Sequence, residues 1–440
     1  MNLNFPARAF RFAAAGWALL LGAGSFARSP RPVFTPFHPD GIYALGETVG
    51  WTVTERAGRK ADPVGYTYTV KEDNFTVIAT GRLDLSSGRA TMETRCKRPA
   101  MLYVTVRRAD AGHGTCDAAP VATLGAAVDP TGLRPSAPCP SDFDAFWAGK
   151  LASLKRVPIH PILTPLPAGP AGVRLYRVRL DSLGSHVQGY LAFPRAGGKL
   201  PALVIYQWAG VYALNPSAAA DRAADGWLAF DVDAHDLPPD QGTGVPANYN
   251  AIGDTSRETS YFLGMYLRDT RAIDYISTCP RWDGKTIVLT GTSMGGQQSL
   301  ATAGLNPGRI TAVIVDEPSG ADSNGALHGR QAGYPFWDSR DPRVMRTARY
   351  FDTVNFAPHI TAPALIAMGF IDTTAPPAGV WTVINRIPGA KEAVPMIDSD
   401  HNNITPQAQA AYYQRSEQVL ATLLVGRPFH PDQSLTRPKG

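Results

Sequence analysis

Gly291-Thr292-Ser293-Met294-Gly295 sets a serine between two glycines at alternate positions. A serine hydroxyl is a weak nucleophile at neutral pH, so the spacing matters only if the backbone presents Ser293 and another group activates it. The flanks address presentation. Ile287-Val288-Leu289 is a short apolar run fit for a strand, and the Gln, Ser, Leu and Ala after Gly295 suit a helix. A serine at the apex of strand, sharp turn and helix is the setting in which this motif does covalent chemistry. Gly291 and Gly295 let strand and helix pass where side chains would collide. The helix start adds unpaired N–H groups and a partial positive charge beside the hydroxyl.

Activation needs a base and a carboxylate that orients it. On a strand–turn–helix serine the expected chain order is Ser, then Asp or Glu, then His, each on a loop after a strand. His328 and His359 precede the apolar run Ala364–Met368, and His430 lies in the Pro-rich tail. His401, in Asp398-Ser-Asp-His-Asn402, follows the expected last strand and is the candidate base. Asp372 follows Ala364–Met368 and is the candidate acid, with Asp316 or Glu317, one strand earlier, as the rival. Asp398 and Asp400 are too near His401 in sequence to support its ring from behind. An oxyanion needs two N–H donors. One is the backbone of Met294. The other comes from the loop after Pro201–Tyr206, with Ala209 ahead of Trp208. The Trp208 indole is assigned to substrate, walling the acyl pocket, with burial in the core as its alternative.

These groups need a scaffold. From Val173 onward strands and helices alternate, which implies an α/β architecture with a mostly parallel sheet covered by helices on both faces. Val173–Leu180, Val187–Phe193, Pro201–Tyr206, Trp227–Val232, Lys285–Thr290, Ile310–Val315, Ala364–Met368 and Ala393–Ile397 read as strands. Ser217–Gly226, Glu258–Ser277 and Gln407–Leu424 read as helices. A helix starting at Ser141 or Asp142, either of which could cap it, carries Phe143, Phe146 and Trp147 on one face. The catalytic domain is set at residues 141–428, with 318–352 as a cap or pocket-wall insertion and 429–440 as a tail. Ahead of it, 41–128 carries short β-type runs separated by turn residues and is expected to be a small β-sandwich domain. Residues 28–40 read as an extended segment and 129–140 as a linker.

The chain has 440 residues, 44% of them hydrophobic and 18% charged, which fits two globular domains with substantial cores. Its net charge of +5 is spread without basic runs, so a nucleic-acid partner is not expected. Residues 1–27 resemble an export signal: Arg8 and Arg11, an apolar stretch from Phe12 to Gly24, then Ser25-Phe26-Ala27. This predicts a secreted or periplasmic protein with no membrane attachment after cleavage. Export makes the cysteines eligible for disulfides, and Cys96–Cys116 with Cys139–Cys279 is the favoured pairing. No Cys or His spacing suggests a metal site, and no organic cofactor is expected. Oligomeric state is not legible.

From Pro140 to Leu424 the chain resembles the acetyl xylan esterase/cephalosporin-C deacetylase family of α/β-hydrolases. The resemblance rests on Pro140-Ser-Asp-Phe-Asp-Ala-Phe-Trp147, Tyr266-Leu-Arg-Asp-Thr-Arg-Ala-Ile-Asp-Tyr-Ile276 and Tyr350-Phe-Asp-Thr-Val-Asn-Phe-Ala357. Pro363-Ala-Leu, Gly369-Phe-Ile-Asp372 and Pro376-Pro377 extend it. It implies Ser293, Asp372 and His401 as a triad, with Ala209 and Met294 amides as the oxyanion hole. It also implies an acetylated carbohydrate as substrate. The chain departs from the family at Met294, where Gln is usual, and at Asn402, where Glu is usual. Its Trp208-Ala209-Gly210-Val211 replaces a Gly-rich loop, and the Arg-Gly-Gln signature is absent near Asp233-Ala234-His235. Two other readings are a serine peptidase of the prolyl-oligopeptidase type and a non-catalytic carbohydrate-binding protein.

Overall fold

The computed structural model of the chain describes residues 32–55, 65–110, 119–167, 169–402 and 405–437. The export-signal reading of residues 1–27 and Cys116 lie outside the described residues.

Eight short strands come first: β1 (Val33–Pro36), β2 (Ile42–Tyr43), β3 (Thr48–Thr54), β4 (Tyr66–Glu72), β5 (Thr76–Leu83), β6 (Arg89–Arg95), β7 (Ala100–Arg108) and β8 (Ala122–Val128). They form two sheets, ordered β1-β3-β6 and β2-β8-β7-β4-β5. Val49, Trp51, Val53 and Met92 from the first sheet share one core with Val70, Leu102, Val104 and Ala126 from the second. Strand β6 hides in the sequence because only Met92 of its residues is buried.

Next come α1 (Phe143–Lys155), β9 (Ile162–Leu166), β10 (Val173–Ser182), β11 (Ser185–Pro194), β12 (Leu200–Tyr206), α2 (Ser217–Asp225), β13 (Leu228–Val232) and α3 (Tyr261–Thr278). The remainder is β14 (Trp282–Thr292), α4 (Met294–Leu305), β15 (Ala312–Asp316), α5 (Pro342–Ala348), α6 (Thr353–Phe356), β16 (Ala364–Gly369), α7 (Pro377–Arg386), β17 (Lys391–Met396) and α8 (Ala410–Leu424). Nine strands make one sheet, β17-β16-β15-β14-β12-β13-β11-β10-β9. The run from β17 to β13 is parallel, and β11, β10 and β9 add antiparallel neighbours.

Side chains alternate across this sheet, as a pleated strand requires. On β14, Val288 packs toward α2 and α8 with Ala220 and Leu420. Ile287 and Leu289 face the opposite layer, with Ile273 of α3, Leu300 of α4 and Trp381 of α7. That second core also takes in Met101 and Tyr103 of β7 and Ala127 of β8, so the N-terminal strands share a core with the large sheet. Residues 129–140 are packed as well: Pro130 and Leu133 are buried, and the Asn385 amide donates to both their carbonyls.

Aromatic packing explains two conspicuous runs. Phe143, Phe146 and Trp147 of α1 meet Phe356, Tyr350 and Phe351 with ring centroids 5.0, 5.2 and 5.8 Å apart. Neither expected cap is made by a side chain, since Asp142 instead binds Arg257 and Tyr350. The expected Cys139–Cys279 bridge is absent. Cys279 is buried at the end of α3, Cys139 is exposed, and both are free, as is Cys96.

The approach of β14 to α4 is close. A Cβ on Gly295 would lie 2.2 Å from the Tyr206 carbonyl oxygen, which as backbone cannot swing away. We expect Gly295→Ala to destabilise the chain by about 1–3 kcal/mol, read as a lower midpoint in urea. An unchanged midpoint would contradict this packing.

Candidate active site

Ser293 sits between β14 and α4 with φ 58° and ψ −121°, a conformation that L residues rarely adopt. Such strain costs roughly 1–3 kcal/mol and persists where the surroundings hold it. Here the Ser293 N–H donates to the Asp316 carbonyl, while its own carbonyl accepts from Gln297 and Ser319. Helix α4 begins at Met294, so its first N–H groups lack intrahelical acceptors and point toward the serine end.

His401 Nε2 lies 2.8 Å from Ser293 Oγ, and His401 Nδ1 lies 2.7 Å from Asp372 Oδ2. The other Asp372 oxygen accepts from the N–H groups of Thr374 and Ala375 at 2.7 and 2.8 Å. Asp372 is buried in the loop after β16, and His401 follows β17 with only its edge open. Burial alone lowers the imidazole pKa. The hydrogen bond and charge of Asp372, with the charges of Glu317 and Asp400, outweigh burial and leave His401 above its ordinary value.

The rival carboxylates are close but differently placed. Glu317 Oε2 is 3.7 Å from His401 Nδ1, beyond hydrogen-bond range, and Glu317 Oε1 accepts from Ser399 Oγ at 3.1 Å. Gly369 leaves it room, since a Cβ there would come within 2.8 Å of Glu317 Oε1. Burial, then the charge of Asp372, raises the Glu317 carboxyl. Asp316 does not reach the imidazole. Burial first, then Glu317 and Asp372, pushes it well above the usual carboxyl range. Glu317, Asp372 and His401 offer ligand atoms within 4.8 Å of one another, a spacing that a cation could use. Both ring nitrogens of His401, however, are already engaged by Ser293 and Asp372.

The loop after β12 leaves the sheet next to β14, since Ile205 pairs with Thr290. It carries Trp208, Ala209 and Gly210 and is held at several points. The Gln207 carbonyl accepts from Gln298, and the Gln207 side chain bonds Tyr212 and Ala234. The Gly210 N–H donates to Tyr249 Oη at 3.2 Å, and His235 Nε2 lies 3.0 Å from the Gly210 carbonyl. That carbonyl can only accept, so Nε2 carries the proton and Nδ1 accepts from Tyr261 Oη at 2.8 Å. Burial lowers the His235 pKa, in keeping with the neutral ring. Met294 is buried, its Sδ 3.3 and 3.2 Å from Tyr249 Oη and Tyr334 Oη, which are 2.8 Å from each other. Two hydroxyl protons serve those three contacts, so at most two form at once. Trp208 is 57% exposed, which rules out its burial in the core. Its indole stacks on Tyr212, with centroids 5.4 Å apart.

Sequence reasoning missed His235, Tyr249 and Tyr334, which brace the loop and Met294. Each acts across more than twenty residues of chain. The absence of the Arg-Gly-Gln signature beside His235 was the one available signal.

Residues 131–418 match the family described as acetyl xylan esterase (AXE1). The acetyl esterase Axe7A of Xylanibacter ruminicola is 28% identical over 378 residues, covering 82% of this chain and 84% of that protein. The fold matches two solved structures. The acetyl xylan esterase from Paenibacillus sp. R4 has a TM-score of 0.58 at 24% identity, covering 66% of this chain and 98% of that one. Acetyl xylan esterase 1 from Thermoanaerobacterium sp. JW/SL YS485 has a TM-score of 0.57 at 21% identity, covering 64% and 96%. With the family match spanning well over half its length, this chain belongs to the acetyl xylan esterase family of α/β-hydrolases and is a carboxylic-ester hydrolase.

Proposed function

We propose that Ser293, His401 and Asp372 are the catalytic triad of a deacetylase acting on acetylated carbohydrate, such as acetylated xylan or its fragments. The reading rests on the hydrogen-bonded chain Asp372–His401–Ser293 at 2.7 and 2.8 Å, with the serine on a strained turn. Ser293 Oγ attacks the ester carbonyl carbon while His401 Nε2 takes its proton. Asp372 keeps Nδ1 protonated and stabilises the imidazolium. The Met294 and Ala209 amides bind the oxyanion. The tetrahedral intermediate expels the sugar alkoxide, which takes the proton from His401, leaving acetyl on Ser293. Water, deprotonated by His401, then attacks the acyl carbon; the Ser293 Oγ–acyl bond breaks, Ser293 Oγ takes the proton back from His401, and acetate leaves. These steps need no metal or organic cofactor.

Trp208 is assigned to substrate. An exposed indole stiffened by Tyr212 beside the loop of Ala209 suits the apolar face of a sugar ring. Among the described residues no helix is long and apolar enough to cross a membrane. An exported enzyme suits a polymeric substrate.

The test is acetate release across acetylated xylan, mannan, pectin and small acetyl sugars, run beside amide substrates. Release from acetylated carbohydrate without amide cleavage is expected. Amide cleavage with no acetate release would favour the peptidase reading. Trp208→Ala should raise KM for xylan fragments several-fold and leave p-nitrophenyl acetate nearly unaffected. Equal effects on both would remove Trp208 from sugar binding.

A further inference from the structure

We propose that the N-terminal β-strand module is a positioning partner of the acid loop, acting through Tyr103 on Asp372. This rests on the triad reading above.

Three consecutive carbonyls of the acid loop are each taken by a different donor. Tyr103, buried in the middle of β7, donates its hydroxyl to the main-chain carbonyl of Asp372 itself, at 2.9 Å. Gln331 Nε2 donates to the Thr373 carbonyl at 2.7 Å. The Tyr334 N–H donates to the Thr374 carbonyl at 2.7 Å. The first donor belongs to the N-terminal module, and the second is held by it. The tight turn between β4 and β5 places Asp73 and Asn74 in left-handed conformations, with φ 50° and 49°. There the Asp73 carbonyl accepts from the Gln331 N–H at 3.0 Å, and the Asn74 amide bonds Gln331 Oε1. Arg330 adds ion pairs to Asp73 and Asp322.

The module also seats the residue two positions before the acid. A Cβ on Gly125 of β8 would lie 2.6 Å from Phe370 Cβ and 2.7 Å from its carbonyl oxygen. One on Gly41 would meet Ile397 at 2.9 Å and the Phe370 ring at 3.2 Å. Bare backbone therefore lies directly against the segment that leads into Asp372. The Asp372 carbonyl is buried and so requires a partner; a loop that loses the Tyr103 hydroxyl shifts until that carbonyl finds another. The Asp372–His401 bond, at 2.7 Å, is the contact that such a shift stretches.

The experiment uses the full chain with Tyr103→Phe, which deletes one hydroxyl, and separately Gln331→Ala at the module's edge. A fluorophosphonate titrates competent Ser293, so that kcat is expressed per reactive site and misfolded molecules do not count. For Tyr103→Phe we expect kcat to fall about 10- to 100-fold, the scale on which small misplacements act, with KM within about twofold. The acid limb of kcat/KM should move to lower pH, because a displaced Asp372 supports the imidazolium less. Gln331→Ala should show the same signature, more weakly, and decides the matter if Tyr103→Phe does not fold. A parent labelled at Ser293 whose variants keep kcat per site within about twofold, with the limb unmoved, overturns this proposal alone. A parent that releases acetate without labelling at Ser293 overturns the triad reading and this proposal with it.

Discussion

Ser293→Ala is expected to lower kcat on an acetyl ester by roughly 10³-fold or more, the scale of loss when a nucleophile acting with its base is removed. The expectation follows from geometry. Ser293 Oγ is bonded to His401 Nε2, and its backbone is held in a strained conformation by Asp316, Gln297 and Ser319. The substitution removes the bond-forming atom and leaves those backbone bonds in place. The variant should therefore fold, bind substrate with near-parental affinity and fail in turnover. Turnover close to that of the parent would contradict the assignment.

Asp372→Asn is expected to cost about 10³- to 10⁴-fold in kcat, because an amide cannot hold the imidazole in the tautomer with Nδ1 protonated while stabilising the imidazolium. Glu317→Gln, by contrast, should change kcat by less than about threefold. Glu317 lies 3.7 Å from Nδ1, against 2.7 Å for Asp372, and already accepts from Ser399. The pH profiles separate the two further. His401 must be neutral to accept the serine proton, so activity falls as pH drops through its pKa. Asp372 is the largest influence raising that pKa against burial. The acid limb of the parent should thus lie above the ordinary histidine value and move to lower pH in Asp372→Asn. A larger loss in Glu317→Gln than in Asp372→Asn would make Glu317 the acid.

Much of this site was legible because its parts sit at ends of parallel strands, where strongly apolar runs mark the loops that follow. Ser293, Asp372 and His401 each come just after such a run, and the chain order did the rest. Less legible were contacts whose partners are far apart in sequence. Tyr103 reads as one more residue of a β-type run, and nothing local shows that its hydroxyl reaches a carbonyl 269 residues away. His235, Tyr249 and Tyr334 are likewise ordinary until folding brings them to the oxyanion loop and Met294. Strands β1, β6 and β9 are hard to read because they bury almost nothing: Met92 of β6 is the one buried residue among them. The Cys139–Cys279 pairing failed for a related reason: spacing cannot tell that Cys279 ends inside the core while Cys139 stays outside it. Met294 illustrates the opposite case. Its departure from the family's usual Gln is a matter of side chain, buried against two tyrosines, and leaves its backbone N–H at the start of α4.

The most direct measurement is peptide mass spectrometry of the protein mixed with an acetyl ester and quenched in acid during the first turnover. We predict one acetyl group on the peptide that carries Ser293, absent from Ser293→Ala and lost as acetate is released. Acetate release with no acetyl on that peptide, or with the acetyl on a different residue, would contradict an acyl-serine mechanism at this site.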